Sequence, residues 1–234
     1  MFLRLVGVVA ILSLGACASP YVAKPYDRAS ANVQSIAVLD DSLPEKAIAY
    51  EVASTGSSFG LIGALVDAGI QGSRQEAVNA ALNGVSFDAE QIMEARLASA
   101  LSREGYTVAV MDNGVRPKRE VLATYPAAPT EADAYLDIVV TQYGYLSPGA
   151  GQPFRPHASA VVKLVSVADG STVLAENVVA YNPMGAPQGI VTITPNGDYV
   201  FRNRGELLAD PQRLADGITD ALNQVADTAA KLLR

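Results

Sequence analysis

The spacing of hydrophobic positions alternates along the chain between the period of a strand and the period of a helix. Short apolar runs predict three strands, at 35–41, 47–54 and 106–112. Residues 88–104 instead carry apolar side chains three and four positions apart, which predicts an amphipathic helix with Asp88 as its N-cap. Gly105 is expected to end that helix. A helix that leads from one strand into the next is typical of an α/β fold.

Residues 134–146 predict a long strand, because polar and apolar positions alternate there. A regular strand places Leu136 and Val140 on one face of the sheet. It places Tyr143 and Tyr145 on the opposite face. The two rings are expected to form either a half-buried surface under a helix or a semi-polar strip for recognition.

Two further apolar runs, 157–167 and 171–181, predict an antiparallel hairpin. They flank Asp169 and Gly170, and an Asp-Gly pair between apolar runs is among the strongest hairpin signals. Before these strands, residues 113–133 contain three prolines and predict a long connection.

The chain ends in a predicted helix with Asp210 as its N-cap and Pro211 in its first turn. Its apolar stripe consists of Leu214, Ile218, Ala221, Leu222, Val225, Ala229, Leu232 and Leu233. Such a stripe is expected to dock on a sheet. The predicted fold is therefore a single two-layer α/β sandwich with a mixed sheet, an antiparallel hairpin in the second half and a long C-terminal amphipathic helix.

The first sixteen residues predict a signal peptide, with Arg4 before an uncharged apolar run and small residues at the end. Leu14, Gly15, Ala16 and Cys17 resemble the lipobox of bacterial lipoproteins. That resemblance implies cleavage before Cys17, attachment of a diacylglycerol and of a further acyl chain such as palmitate, and residence at the outer membrane. The alternative is an ordinary secretory signal with an incidental cysteine.

The chain after Cys17 divides into a tether and one domain. Residues 17–34 are small, polar and proline-containing, which predicts a flexible segment spanning about 20–25 Å. Residues 35–234 are long enough for one hydrophobic core. The composition, 50% hydrophobic and 18% charged, is that of a globular body, and the formal charge of −7 argues against nucleic-acid partners and against electrostatic adhesion to anionic lipid.

A glycine-rich insert at 56–84 contains small residues at every fourth position: Gly56, Gly60, Ala64, Ala68 and Gly72. On a helix these positions form a flat strip that lets another backbone approach closely. Three interpretations stay open at this point. The segment is a loop leading into a helix near residue 73, a helix packed closely within or between subunits as in a homo-oligomer, or a membrane-inserted segment.

Residues suited to catalysis are few. His157 is the only histidine, which leaves almost no material for a histidine-based zinc site or a Ser-His-Asp triad. Asp40 and Asp41 end the first strand and are candidates for a divalent ion or acid-base chemistry. Adjacent residues of a strand point to opposite faces, so a strand stop or cap is the simpler interpretation. We expect no enzymatic activity, no catalytic residue, no metal and no cofactor.

The order of motifs resembles a group of envelope proteins. After the lipobox, the motifs are "IAVL" at 36–39, "GYTV" at 105–108, "YLDIV" at 135–139 and a hairpin at 164–174. This order resembles a domain shared by the amino-terminal part of TolB, the curli secretion channel CsgG and the lipoprotein activators of penicillin-binding proteins. The resemblance implies a periplasmic α/β domain that works through protein–protein contacts.

Three functions follow as hypotheses. The first is a lipid-anchored assembly factor or adaptor at the outer membrane that faces the periplasm and presents loops or sheet edges to an envelope protein. The second is a homo-oligomeric structural or secretion-channel component assembled through the glycine-rich segment. The third is an envelope hydrolase, for which His157 is the best candidate residue.

Overall fold

Seven strands form one mixed sheet in the computed structural model, which describes residues 21–53, 60–125, 131–185 and 188–234. The strands are β1 Ser35–Leu39, β2 Ile48–Ala53, β3 Thr107–Met111, β4 Ala134–Gly149, β5 Arg155–Ser166, β6 Val173–Tyr181 and β7 Val191–Ile193. The helices are α1 Arg28–Ala31, α2 Gly60–Gly84, α3 Ala89–Arg103, α4 Arg204–Ala209 and α5 Pro211–Lys231, with a 3₁₀ turn at Gly197–Tyr199.

The strand order across the sheet is β3-β1-β4-β5-β6-β7. Strand β1 is parallel to both β3 and β4, whereas β4, β5 and β6 form the antiparallel meander that the hairpin signal predicted. Strand β4 is long enough to pair with β1 near its start and with β2 near its end. Gly144 permits the second pairing, because its φ is 134° and a Cβ there would lie 2.2 Å from the carbonyl oxygen of Ile48.

Helices α3 and α5 cover one face of the sheet and confirm the predicted two-layer α/β arrangement. Helix α5 begins as expected, with the Asp210 carboxylate accepting a hydrogen bond from the Arg213 N–H at 3.0 Å. Its apolar stripe is buried except for Leu232, which is partly buried. Arg96 of α3 donates to Asp227 of α5 at 2.8 and 2.5 Å and fixes the two helices side by side.

The tyrosines of β4 lie on the face opposite to the one predicted. The register shifts between Val140 and Gln142, where β4 has an irregularity against β5. One extra residue reverses the alternation beyond it, so Tyr143 and Tyr145 join Leu136 in the helix-covered core. The expectation of a separate tyrosine face was therefore wrong.

The connection between β3 and β4 covers the other face of the sheet. Tyr125 stacks on Tyr135 there, with ring centroids 5.4 Å apart. Arg116 and Asp137 form an ion pair at 2.8 Å, and both side chains are almost completely buried. The N–H of Leu122 donates to the same carboxylate at 2.7 Å, so this charge is stabilised by an opposite charge and a hydrogen bond.

Part of the predicted tether packs on the body. Residues 28–31 form the helical turn α1, capped by Asp27, and Arg28 donates to the carbonyl of Glu104 at 2.9 Å. Lys24 pairs through its main chain with Glu176 of β6. The prediction of a flexible tether is therefore wrong for residues 24–34, where long-range contacts replace the missing local pattern.

Helix α2 begins at Gly60, so the interpretation as a loop up to residue 73 was wrong. A Cβ placed at Gly69 or Gly72 would meet nothing within 4 Å, so neither glycine is needed for close packing within the described chain.

Among the described residues, no helix combines the length and the apolar character needed to cross a bilayer.

Candidate functional site

Strand β3 lies at one margin of the sheet, and among the described strands it pairs with β1 alone. Thr107 N–H donates to Gln34 at 2.9 Å, and Asp40 N–H donates to Met111 at 3.0 Å. In a parallel pair these bonds place the main-chain groups of Thr107, Ala109 and Met111 toward β1. The alternate residues therefore turn their main-chain groups away from the sheet.

The alternate residues are Val108 and Val110, whose main-chain N–H groups donate to no described residue and whose C=O groups accept from none. We call this outer side of residues 107–111 the open edge. It contains no charged residue and no proline, and the Val110 side chain is 48% exposed. Sheets usually protect such an edge, because it is a template for pairing with another chain.

Strand β2 shows what a protected edge looks like in the same molecule. The Asn79 side chain accepts from Ala47 N–H at 2.9 Å and donates to Ala47 C=O at 2.8 Å. Gln71 accepts from Glu51 N–H at 3.2 Å and donates to Glu51 C=O at 2.9 Å. Eight helical residues and four extended residues both span about 12–13 Å, so two amides of α2 match Glu51 of β2 and Ala47, the residue that precedes the strand.

An acidic crevice of about 660 Å³ lies beside the open edge, at the carboxyl ends of β1 and β3. Six carboxylates line it: Asp40, Asp41, Glu45, Asp88, Glu90 and Asp112. Its apolar wall includes Leu82 and Phe87, and Tyr143 also reaches it. The position follows from topology, because β1 has β3 on one side and β4 on the other, and the crevice lies at the carboxyl end of β1 between these two neighbours.

Two carboxylates of the crevice, those of Asp40 and Glu90, converge with that of Glu94. Oxygen atoms of Asp40, Glu90 and Glu94 all lie within 4.8 Å of one another. Burial, a hydrogen bond with Asp40 and repulsion from neighbouring carboxylates raise the pKa of Glu94 to about 7. Burial likewise raises the pKa of Glu90. This group is chemically able to bind a hard cation through oxygen, and among the described residues it is the one set of three potential metal ligands that lie close together.

Asp41 has a different environment from Asp40, although the two are adjacent. Its carboxylate pairs with Arg119 at 2.8 Å and accepts from the Arg116 N–H. The residue adopts a φ of 56°, which ends the strand by turning the chain. The interpretation of the pair as a strand stop therefore describes Asp41, whereas Asp40 belongs to the converging group.

The other described residues that the sequence singled out are not brought to this site. His157 is buried in β5, where its Nδ1 donates to the carbonyl of Asn182 at 3.1 Å and burial lowers its pKa. Cys17 and Gly56 lie outside the described residues. Gly60, Ala64, Ala68 and Gly72 lie in α2.

Sequence reasoning missed Glu90 and Glu94, and with them the candidate metal site. The available signal was two glutamates four positions apart, close after the N-cap Asp88 and without a basic residue at that spacing.

Comparison of the chain with known protein families, with curated proteins and with solved structures found no match.

Proposed function

We propose that this chain is a lipid-anchored protein of the bacterial cell envelope that acts as an assembly factor or adaptor. In this proposal Cys17 holds it at the outer membrane, the body faces the periplasm, and a partner protein adds an extended segment to the open edge of β3. The observation that carries the proposal is the contrast between β3, whose outer main-chain groups have no described partner, and the β2 edge, where α2 bonds the outer groups of Ala47 and Glu51.

Strand addition explains how such an edge gains affinity. A partner strand reaches four main-chain groups, the N–H and C=O of Val108 and Val110. Each hydrogen bond contributes about 0.5–1.5 kcal/mol net. The contact is then weak by itself, and side-chain contacts with Val110 and Val115, which are 48% and 89% exposed, add apolar burial.

An anchor strengthens this weak contact. Two proteins held at the same membrane meet at a high effective concentration, so a modest edge interaction becomes sufficient for assembly. The lipobox at Leu14–Cys17 supports the anchor. The resemblance to the envelope-protein group stays a prediction, and it supports a role in protein–protein contacts rather than chemistry.

The anchor has a direct test. Cys17→Ser should abolish labelling of the full-length protein by a fatty-acid analogue and leave unprocessed precursor. Normal processing of that variant would mean an ordinary secretory signal.

The docking edge is tested by a matched pair of lysine variants. Val110→Lys places a charge on the open edge, as natural sheets do to prevent strand addition. Val52→Lys places the same charge at a similarly exposed valine of β2, 56% exposed, on the protected edge. In cells, Val110→Lys should reduce crosslinking to envelope proteins at least tenfold, and Val52→Lys should leave it unchanged. Equal effects of the two variants would refute the proposal.

The homo-oligomeric alternative has its own support. Gly69 and Gly72 present a smooth helix surface with open space above it. A second copy packing there is a distinct outcome, because Gly72→Leu would then abolish self-crosslinking while Val110→Lys would not.

A further inference from the structure

The acidic crevice contains a group of charges without a compensating cation. No lysine or arginine is among the described residues that line the crevice. Asp41 is neutralised by Arg119 at 2.8 Å. No such partner reaches Asp40, Glu90 or Glu94 within the described chain, although their oxygens lie within 4.8 Å of one another. Partly buried like charges at this distance repel strongly unless a proton or a cation joins them.

The converging carboxylates are held in place by the main chain. The two oxygens of Glu90 accept from Ser42 N–H at 2.7 Å and from Leu43 N–H at 2.9 Å. Asp40 accepts from the N–H of Asp41 at 2.5 Å. Outer hydrogen bonds of this kind orient carboxylates that bind metals. Two oxygens that bind one calcium ion lie at most about 4.6–5.2 Å apart, so oxygens within 4.8 Å of one another are close enough to share one ion.

Tyr143 provides an independent indication of a ligand. The residue is only 4% exposed, lines the crevice near Glu90, and its hydroxyl makes no hydrogen bond to any described residue. A ligand in the crevice, or a water bound to it, gives that hydroxyl a partner.

We propose that Asp40, Glu90 and Glu94 bind one hard divalent cation, and that the Tyr143 hydroxyl hydrogen-bonds to water on the ion. Two carboxylates reach the ion from α3 and one from the end of β1. The ion therefore joins the helix layer to the sheet beside the open edge. This site does not depend on the adaptor proposal.

Calcium and magnesium are the probes for the test. Titration calorimetry of the chelator-treated full-length protein at pH 7.5 should show one site per chain, with a dissociation constant on the order of 10⁻⁴–10⁻³ M. Glu94→Gln should weaken binding at least tenfold. Glu45→Gln is the matched control, because it removes the same charge from the same crevice outside the converging group, and it should change binding less than threefold.

A second readout protects the test from a variant that fails to fold. Calcium should raise the melting temperature of the unaltered protein and of Glu45→Gln, and should leave that of Asp40→Asn unchanged. Absence of binding by both ions up to 10-fold above the expected range would overturn the proposal. Equal weakening by Glu94→Gln and Glu45→Gln would also overturn it, because it would indicate general attraction by an acidic surface.

Discussion

The two strands that flank the first half of the sheet differ in what meets their outer main-chain groups. Along β2, Asn79 and Gln71 replace a neighbouring strand with side-chain amides. Along β3, the equivalent groups of Val108 and Val110 have no described partner. One chain thus protects one edge with a helix and leaves the other bare. The bare outer side of β3 is therefore a feature that β2, which also ends beside a helix, does not share.

Charge follows the same division. Glu51 at the protected edge pairs with Arg74 at 3.1 Å. The open edge lies instead beside the acidic crevice. There the carboxylates of Asp40 and Glu94 repel each other, and no described basic side chain pairs with either of them. At Glu51 the protected edge thus has partners for both its main-chain groups and its charge, whereas Val108, Val110 and Asp40 have no such described partners. This contrast favours binding at β3 and a structural role at β2.

A pair of proline variants tests most strongly whether the outer main-chain groups of β3 are unbonded. Ala109 directs its N–H toward β1, so Ala109→Pro should lower the free energy of unfolding by about 3 kcal/mol. Val110 directs its N–H outward, so Val110→Pro should lower it by less than about 1 kcal/mol. Urea denaturation of the two variants measures the difference. Equal losses would mean that the outer side of β3 is already bonded.

Removing the amides of α2 should convert the protected edge into an open one. The double variant Gln71→Ala and Asn79→Ala should lower the free energy of unfolding by about 2–3 kcal/mol, because main-chain groups of Ala47 and Glu51 lose their partners. The exposed edge should also promote self-association, measured by sedimentation. Glu76→Ala, at an exposed position of the same helix, is the control and should change stability by less than about 0.5 kcal/mol.

The uncompensated carboxylates beside the open edge predict that the free energy of unfolding depends on pH when a chelator is present. The pKa of Glu94 is about 7 in the folded protein and 4.5 as its ordinary value, so the folded state holds more protons between these values. Stability attributable to this group therefore falls as pH rises from about 4.5 to 7.

Two glutamine variants distinguish the contribution of Glu94 to this loss of stability from that of other carboxyl groups. Water screens a partly exposed carboxyl, so we expect about 1 kcal/mol between pH 5 and pH 8. Glu94→Gln should remove that part of the slope, whereas Glu51→Gln at the compensated edge should not. Denaturation at the two pH values measures it, and an identical slope in Glu94→Gln would contradict the assignment.

The fold was largely predictable because its elements carry strong local patterns. The stripe of α5, the N-caps Asp88 and Asp210, and the Asp-Gly turn each act within a few residues. The faces of Tyr143 and Tyr145 were not predictable from alternation, since the irregularity after Val140 depends on pairing with β5. The turn at Arg28–Ala31 likewise depends on distant contacts.

The candidate site was predictable only in part. Asp40 was visible as a carboxylate at the end of a strand. Its convergence with Glu90 and Glu94 arises from packing of a helix some fifty residues away, as the contacts of Ser42 and Leu43 with Glu90 show. The open state of β3 depends on strand order across the sheet, which no local pattern specifies.

The most direct test of the central claim is position-specific crosslinking in cells. A photoreactive amino acid replaces Val110 at the open edge or Val52 at the protected edge of the full-length protein, and mass spectrometry maps the products. The account predicts crosslinks from position 110 to an extended segment of one or two envelope proteins, and none to those proteins from position 52. Equal crosslinking from both positions, or crosslinks from position 110 to no other protein, would contradict it.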